Sequence, residues 1–258
     1  IRLHKRSLNW TLPLNPELRL GEAYMDGTLT VENGSIYDLL DLVGRNYANL
    51  ERSRIHRIGE WCRRICRPIH QFNPPWRSRA NVAHHYDLSG ELYDLFLDED
   101  RQYSCAYFDD PRDDLETAQE NKKKHIAAKL LLEPNQRVLD IGCGWGGMAL
   151  SLARHADVHV TGVTLSTEQF EMAKERAKKA QLAQKVEFAL RDYRHQEGRF
   201  DRIVSVGMFE HVGVAFYRTF FSKVRDLLTD DGVALVHTIG RTDGPGATNS
   251  WIRKYIFP

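Results

Sequence analysis

Past residue 135 the chain alternates short, strongly apolar runs with longer stretches in which apolar residues return every three or four positions. Val138 and Leu139 open a buried strand that ends at Asp140. Gly142, Gly144 and Gly146 follow at two-residue spacing, and MALSLA, Met148 to Ala153, starts a helix. VHVTGVTLS reads as a second strand, and Ser166 to Gln169 has the form of a capping box opening a Lys/Glu-rich helix to Ala180. KVEFALRDY is a third strand, FDRIVSVGMFEHVG a fourth with its loop, FYRTFFSKVRDLL a helix and GVALVHTIG a fifth strand. Strands alternating with helices predict an α/β fold: a doubly wound, mainly parallel sheet with its ligand at the carboxyl ends of the strands.

Residues 1–76 have a different rhythm and predict a small, mainly helical unit. A strand pair is expected around GEAYMDGTLTVENG, turned at Asp26-Gly27. SIYDLLDLVGRNY sets Ile36, Leu39, Leu40 and Val43 at helical spacing behind Ser35, the expected N-cap. From Glu51 to Ile69, Ile55, Ile58, Trp61, Cys62, Ile65, Cys66 and Ile69 form an apolar stripe, and arginines cover much of the rest. Such a helix can lie on an anionic membrane, or its stripe can pack on its own domain and leave the arginines solvated. FNPPW, Phe72 to Trp76, marks a linker, so residues 77–258 form the second domain. That domain begins with the aromatic-rich NVAHHYD stretch and a helix, DDLETAQENKKKHIAAKLLL, whose Ala127, Ala128, Leu130 and Leu131 suit packing on a sheet.

A formal charge of +1 argues against a dedicated nucleic-acid binder. The balance conceals an asymmetry: residues 1–80 hold 13 Lys/Arg against 8 Asp/Glu, and the remainder 23 against 27. Cys62, Cys66, Cys105 and Cys143 form no paired framework and no C-x-x-C, which favours a reduced, cytoplasmic setting. No metal is expected: Cys62 and Cys66 lack two further ligands, and His84, His85 and Asp87 lack a spaced partner set. With no signal peptide and no membrane-spanning run, the protein is expected to be soluble or peripheral. Both ends read as cut, since there is no initiator Met and the sequence stops soon after the fifth strand.

Glycines after Asp140 let the backbone turn sharply and let a ligand lie against it without Cβ atoms in the way. Dinucleotide enzymes use a similar turn. The terminal Asp140, the G-x-G-x-G spacing, and Cys143 and Trp145 between the glycines together resemble the first motif of class I S-adenosylmethionine (SAM)-dependent methyltransferases, which are Rossmann-like. With YSCAYF, GCGWGG, GVTLSTEQ, MFEHVG and HTIG in that order, the chain is similar to the cyclopropane-fatty-acyl-phospholipid synthase family, close to the mycolic-acid cyclopropane synthases. The resemblance is strong over residues 81–258 and weaker over the N-terminal unit, which resembles the accessory domain of the phospholipid enzymes.

The resemblance implies SAM as methyl donor, held by Tyr103, Ser104, Gly142, Gly144, Thr164, Leu165, Ser166 and Gln169, with Asp140 at the strand end and Asp192 and Tyr193 on the adenine side. It implies a bicarbonate ion as general base, held by Cys105, Glu210, His237 and the backbone of Ile239. A further family ligand, a tyrosine, and two more strands are expected beyond these 258 residues. Tyr86, Tyr103 or Phe108 can face a carbocation, and His85 joins Tyr86 among the catalytic candidates. Plainer roles stay open: Ser166 as a helix cap, Tyr193 and His237 as core residues, Cys105 as a small buried side chain.

The expected function is therefore cyclopropane formation on an unsaturated phospholipid, by a peripheral enzyme of the inner membrane face, with a homodimer as the assembly the resemblance implies and with no nucleic-acid partner. Alternatives are a fatty-acid or mycolic-acid methyltransferase giving a methyl-branched or methylene product, and a non-catalytic lipid-binding homologue. A methyltransferase of nucleic-acid bases rests on FNPPW alone, which here follows a basic helical stretch instead of ending a strand.

Overall fold

The alternation at residues 138–141 feeds two separate cores in the computed structural model, which describes residues 1–53, 57–59, 61–63, 65–66, 90–240, 242 and 248–255. The chain divides into one unit of residues 1–71 with 241–258 and another of residues 72–240.

In the first unit, β1 (Arg2–Leu3) is followed by α1 (Leu8–Leu14), α2 (Pro16–Met25), β2 (Leu29–Thr30) and α3 (Ile36–Arg52). Asn15 caps α2, accepting from Leu18 N at 3.4 Å, and Pro16 fills the first turn. Glu22 to Met25, expected in a strand, are therefore helical, because Leu20 and Ala23 reach one small core with Leu8, Leu29 and Leu39 at helical spacing. The strand partner of Leu29–Thr30 is Arg2–Leu3, antiparallel. Asp26-Gly27 still turns the chain, with Gly27 at φ 71°. Ser35 and Asp38 cap α3 reciprocally: Asp38 accepts from Ser35 N at 2.6 Å, and Ser35 Oγ lies 3.4 Å from Asp38 N.

Residues 57–59, 61–63 and 65–66 are helical, as expected. Their stripe does not pack inward: Ile58, Trp61 and Ile65 are 63, 64 and 57% exposed, while Arg63 reaches Glu17 at 3.8 Å. Residues 250–255 form a helix whose contacts group it with this unit. Trp251 lies so close to Gly21 that a Cβ there would stand 2.5 Å from its indole nitrogen, and Tyr255 and Lys254 both bond Glu22. Among the described residues, no helix is long and apolar enough to cross a membrane.

The second unit continues with α4 (Gly90–Asp94), α5 (Leu115–Leu130), β3 (Arg137–Ile141), α6 (Gly147–Ala156), β4 (His159–Thr164), α7 (Thr167–Lys179), β5 (Val186–Leu190), β6 (Phe200–Val206), α8 (Tyr217–Leu227) and β7 (Leu228–His237). The sheet order is β5-β4-β3-β6-β7 and every pairing is parallel, the doubly wound arrangement expected. Val138 joins Val160, Val204 and residues of α5, α6 and α7 in one core; Leu139 and Ile141 join Ile203, Phe220 and Val224 in the other. Strand β7 starts earlier than expected. Its pairing jumps from Phe200–Leu228 to Arg202–Val233, so Thr229 to Gly232 bulge within the strand instead of forming a separate turn. The buried face of α5 also differs: Leu131 is 65% exposed, and Gln119, Lys122 and Lys123 are buried in line with Ile126 and Leu130.

Candidate active site

A cavity of about 150 Å³ opens where the carboxyl ends of β3, β4 and β6 meet the loop before α5. The glycine turn is its floor. Gly142 N and Cys143 N donate to Val163 O at 2.9 and 3.1 Å, tying the turn to β4. Gly142 sits at φ 81°, and a Cβ on it would lie 2.7 Å from Met208, so a side chain here would drive the turn away from the exit of β6. Gly144, at φ 53°, has no protein atom within 4 Å of the same position.

Tyr103, Ser104, Asp140, Gly142, Gly144, Thr164, Leu165, Gln169, Asp192 and Tyr193 all line this cavity. Ser166 is fully buried behind it and caps α7, its Oγ accepting from Gln169 N at 3.2 Å. Thr164 donates to Gln169 Oε1 at 2.9 Å, so the polar groups at this strand exit fix one another. Asp192 accepts the Arg194 guanidinium at 2.6 and 2.8 Å. Tyr193 both lines the cavity and packs edge-on against Phe220, and burial pushes its phenol up to about 12.

Asp140 is the exception among these paired groups. It is 2% exposed, its Oδ2 has no partner, and burial pushes its carboxyl up to about 7. Such a group is poised for a cationic ligand atom. Arg101, Met208 and His211 also line the cavity and were not named as site residues from the sequence; Trp145, noted there between the glycines, lines it too. Met208 and His211 belong to the MFEHVG motif, which was the available signal. Trp145 donates to Glu168 at 2.9 Å and packs on Tyr93, which in turn packs on Tyr103.

Cys105, Glu210, His237 and Ile239 lie outside this lining. Glu210 Oε1 accepts from Ile239 N at 2.7 Å, whereas Glu210 Oε2 and His237 Nδ1 are buried without a partner. Gly207 joins this group to the cavity: its N–H donates to His237 O at 3.0 Å, and a Cβ on it would lie 3.4 Å from Ser104 Cβ. Cys105, next after Ser104, is exposed. Phe108 is 53% exposed. His85, Tyr86 and FNPPW lie outside the described residues.

The sequence model of the mycolic acid cyclopropane synthetase family matches residues 75–258. The chain is 44% identical over 245 residues to cyclopropane-fatty-acyl-phospholipid synthase of Escherichia coli (strain K12), covering 93% of this chain and 61% of that one. It is 44% identical over 185 residues to a probable fatty acid methyltransferase of Pseudomonas putida, covering 69% and 47%. The structure of mycolic acid cyclopropane synthase CmaA1 complexed with SAH and CTAB superposes with a TM-score of 0.60 at 38% identity, over 64% of this chain and 57% of that one. The chain thus spans between about half and three fifths of the length of these curated relatives. With the glycine-floored cleft on an all-parallel sheet and a family match over most of its length, the chain belongs to the mycolic acid cyclopropane synthetase family.

Proposed function

We propose that this chain carries the catalytic core of a cyclopropane-fatty-acyl-phospholipid synthase, an enzyme that transfers a methyl group from SAM to the cis double bond of a membrane phospholipid. The observation that carries the reading is the glycine-floored cleft beside two buried polar atoms without protein partners, Glu210 Oε2 and His237 Nδ1.

An alkene is a weak nucleophile, so its partner must be a strong electrophile such as a sulfonium methyl. The alkene's π electrons form a bond to that methyl carbon, the carbon–sulfur bond breaks with its electrons kept by sulfur, and the chain becomes a carbocation. Loss of a proton from the added methyl then frees the electron pair that closes the ring. In the cleft, Asp140 Oδ2, buried without a partner, would hold the ammonium of the donor, and the polar cluster at Thr164 and Gln169 would hold its sugar. Holding donor and alkene in contact away from water supplies much of the acceleration. The ring of Tyr103 offers a face to the cation. The orphaned atoms of Glu210 and His237 suit a small, proton-carrying oxyanion, which Cys105 would help to hold. Bicarbonate, when bound there, would act as the base. Ile239 N–H already holds Glu210 Oε1, so its part is to orient that carboxylate.

The first unit reaches the substrate. Ile58, Trp61 and Ile65 stand exposed in helical stretches, with Arg57 exposed beside Ile58, a combination suited to an anionic bilayer surface. The enzyme is accordingly a peripheral protein of the cytoplasmic membrane face. A second reading, a fatty acid methyltransferase that leaves the ring unclosed, rests on the equal identity to the probable fatty acid methyltransferase of Pseudomonas putida.

The test is methyl transfer from labelled SAM to liposomes of cis-unsaturated phospholipid, using full-length protein with and without added bicarbonate. A product of cyclopropane mass that increases with bicarbonate supports the reading. Labelled lipid lacking a ring establishes the methyltransferase instead, and unlabelled lipid overturns both.

A further inference from the structure

Helix α5 approaches the site from outside, and its buried face is half polar. Gln119, Lys122 and Lys123 are all under a tenth exposed. Burying two ammonium groups on one turn is costly unless each finds partners. They find them in the loop that lines the cleft. Gln119 Nε2 donates to Gln102 O and Ser104 O, both at 3.1 Å. Lys123 pairs with Asp100 at 2.8 Å and with Glu120 of its own helix. Lys122 Nζ donates to Ser104 Oγ at 2.7 Å.

That last bond has a direction. An ammonium carries three donors and no acceptor, so Ser104 Oγ must accept, and the serine's own proton points elsewhere. Ser104 lines the cleft. A hydroxyl polarised by a cation and left to donate is matched to an anion. SAM has one anionic group, the carboxylate of its amino-acid end.

We propose that Lys122 is a positioning residue for methyl-donor binding, whose ammonium fixes the Ser104 hydroxyl as a hydrogen-bond donor to the SAM carboxylate. The inference rests on the reading of Ser104 as a donor-binding residue. Around Lys122, Asp98 and Asp100 favour its charge and Lys123 opposes it, with the Cys105 thiol on the same loop. Arg176 of α7 pairs with Asp100 and offsets part of that support. Burial lowers the Lys122 ammonium to about 8. The neutral amine gains a lone pair that can accept the serine proton and turn it from the cleft. Donor affinity therefore falls as pH rises through 8.

The experiment is isothermal titration of SAM into the full-length enzyme from pH 6.5 to 9.5, comparing wild type with Lys122→Arg, Lys122→Met and Ser104→Ala. The donor's own amino group titrates in this range, but equally for every variant, so the difference between wild type and Lys122→Arg isolates the lysine. Lys122→Arg is expected to bind as wild type at pH 7 and to escape the fall of about tenfold that wild type shows by pH 9. Lys122→Met and Ser104→Ala are each expected to bind about tenfold more weakly at pH 7, without the lysine-dependent fall. A Lys122→Arg curve that follows wild type overturns the inference, as does wild-type affinity in Lys122→Met. Should Lys122→Met fail to fold, a Ser104→Ala protein that keeps the wild-type fall overturns it. Ser104→Ala with wild-type affinity at every pH overturns the reading of Ser104 itself, whereas a weakened Ser104→Ala beside unaltered Lys122 variants overturns only the role of Lys122.

Discussion

The two units differ in how much apolar surface they seal: each exposes some large side chains, Leu95 and Ile239 among those of residues 72–240, but only the second builds an extensive core. In residues 72–240, Leu139, Phe200, Ile203 and Phe220 are almost wholly buried, sealed between the sheet and its helices. In the other unit the described core holds Leu8, Ala23, Leu29 and Leu39, while Trp10, Leu14, Tyr37, Leu40 and Trp61 are between 59 and 79% exposed. The first pattern is that of a self-sufficient domain that can shape a dry cleft. The second leaves apolar surface for a neighbouring apolar phase. On the proposed function, one unit handles donor and chemistry, and the other handles access to lipid.

Substitutions that cross this division of labour break the comparison. The largest effect is expected from Gly142→Val, which forces a branched side chain into a φ of 81° and against Met208. SAM binding should weaken roughly a thousandfold by titration, with unit 1 still binding vesicles. Glu210→Gln and Cys105→Ser come next, with turnover lowered about a hundredfold and SAM affinity held within about twofold. Near-normal turnover in either would remove the base site from this group.

Asp140 sharpens the picture through pH. Its carboxyl titrates near 7 in the folded protein and near 4 when unfolded, so its contribution to stability is present below about pH 4 and is lost as pH rises to 7. Asp140→Asn should abolish that loss and stabilise the ligand-free protein at pH 7.5 by about 1–3 kcal/mol, several degrees in melting midpoint by calorimetry. The same variant should bind SAM more weakly. In the other unit, Ile58→Ser with Trp61→Ser should weaken binding to anionic liposomes about fivefold and leave SAM affinity unchanged. The smallest change, about twofold and salt-sensitive, is expected for Arg57→Glu. Arg63 is a poor probe of the surface, because it is turned toward Glu17.

The sheet was legible because its signals are local. Apolar runs, the glycine turn and the Ser166 cap each declare themselves within a few residues, and the structure keeps all of them. What misled depended on distant partners. Glu22 to Met25 resembled a strand until Leu20 and Ala23 met Leu8 and Leu39 on one helix face, and the true partner of Leu29 lies at Leu3. The early start of β7 is set by pairing with Phe200. Lys122 and Lys123 lie in a run of three lysines whose sequence shows no reason for burial; the neighbouring loop, with Asp100 and Ser104, supplies it. At the site, the glycine turn and the Tyr103-Ser104 pair were visible as motifs, whereas Arg101 reaches the cavity from a loop with no distinctive spacing. The Asp192–Arg194 pair lies two residues apart and was within reach of a closer reading.

Glu22 bonds Lys254 and Tyr255 across 232 and 233 positions of chain. A contact with that separation in sequence cannot form until nearly all of these residues have left the ribosome, whereas the five described strands of the parallel sheet have emerged by His237. The strands between can therefore pair while Glu22 waits. Residues made before the sheet thus find their native partners after it.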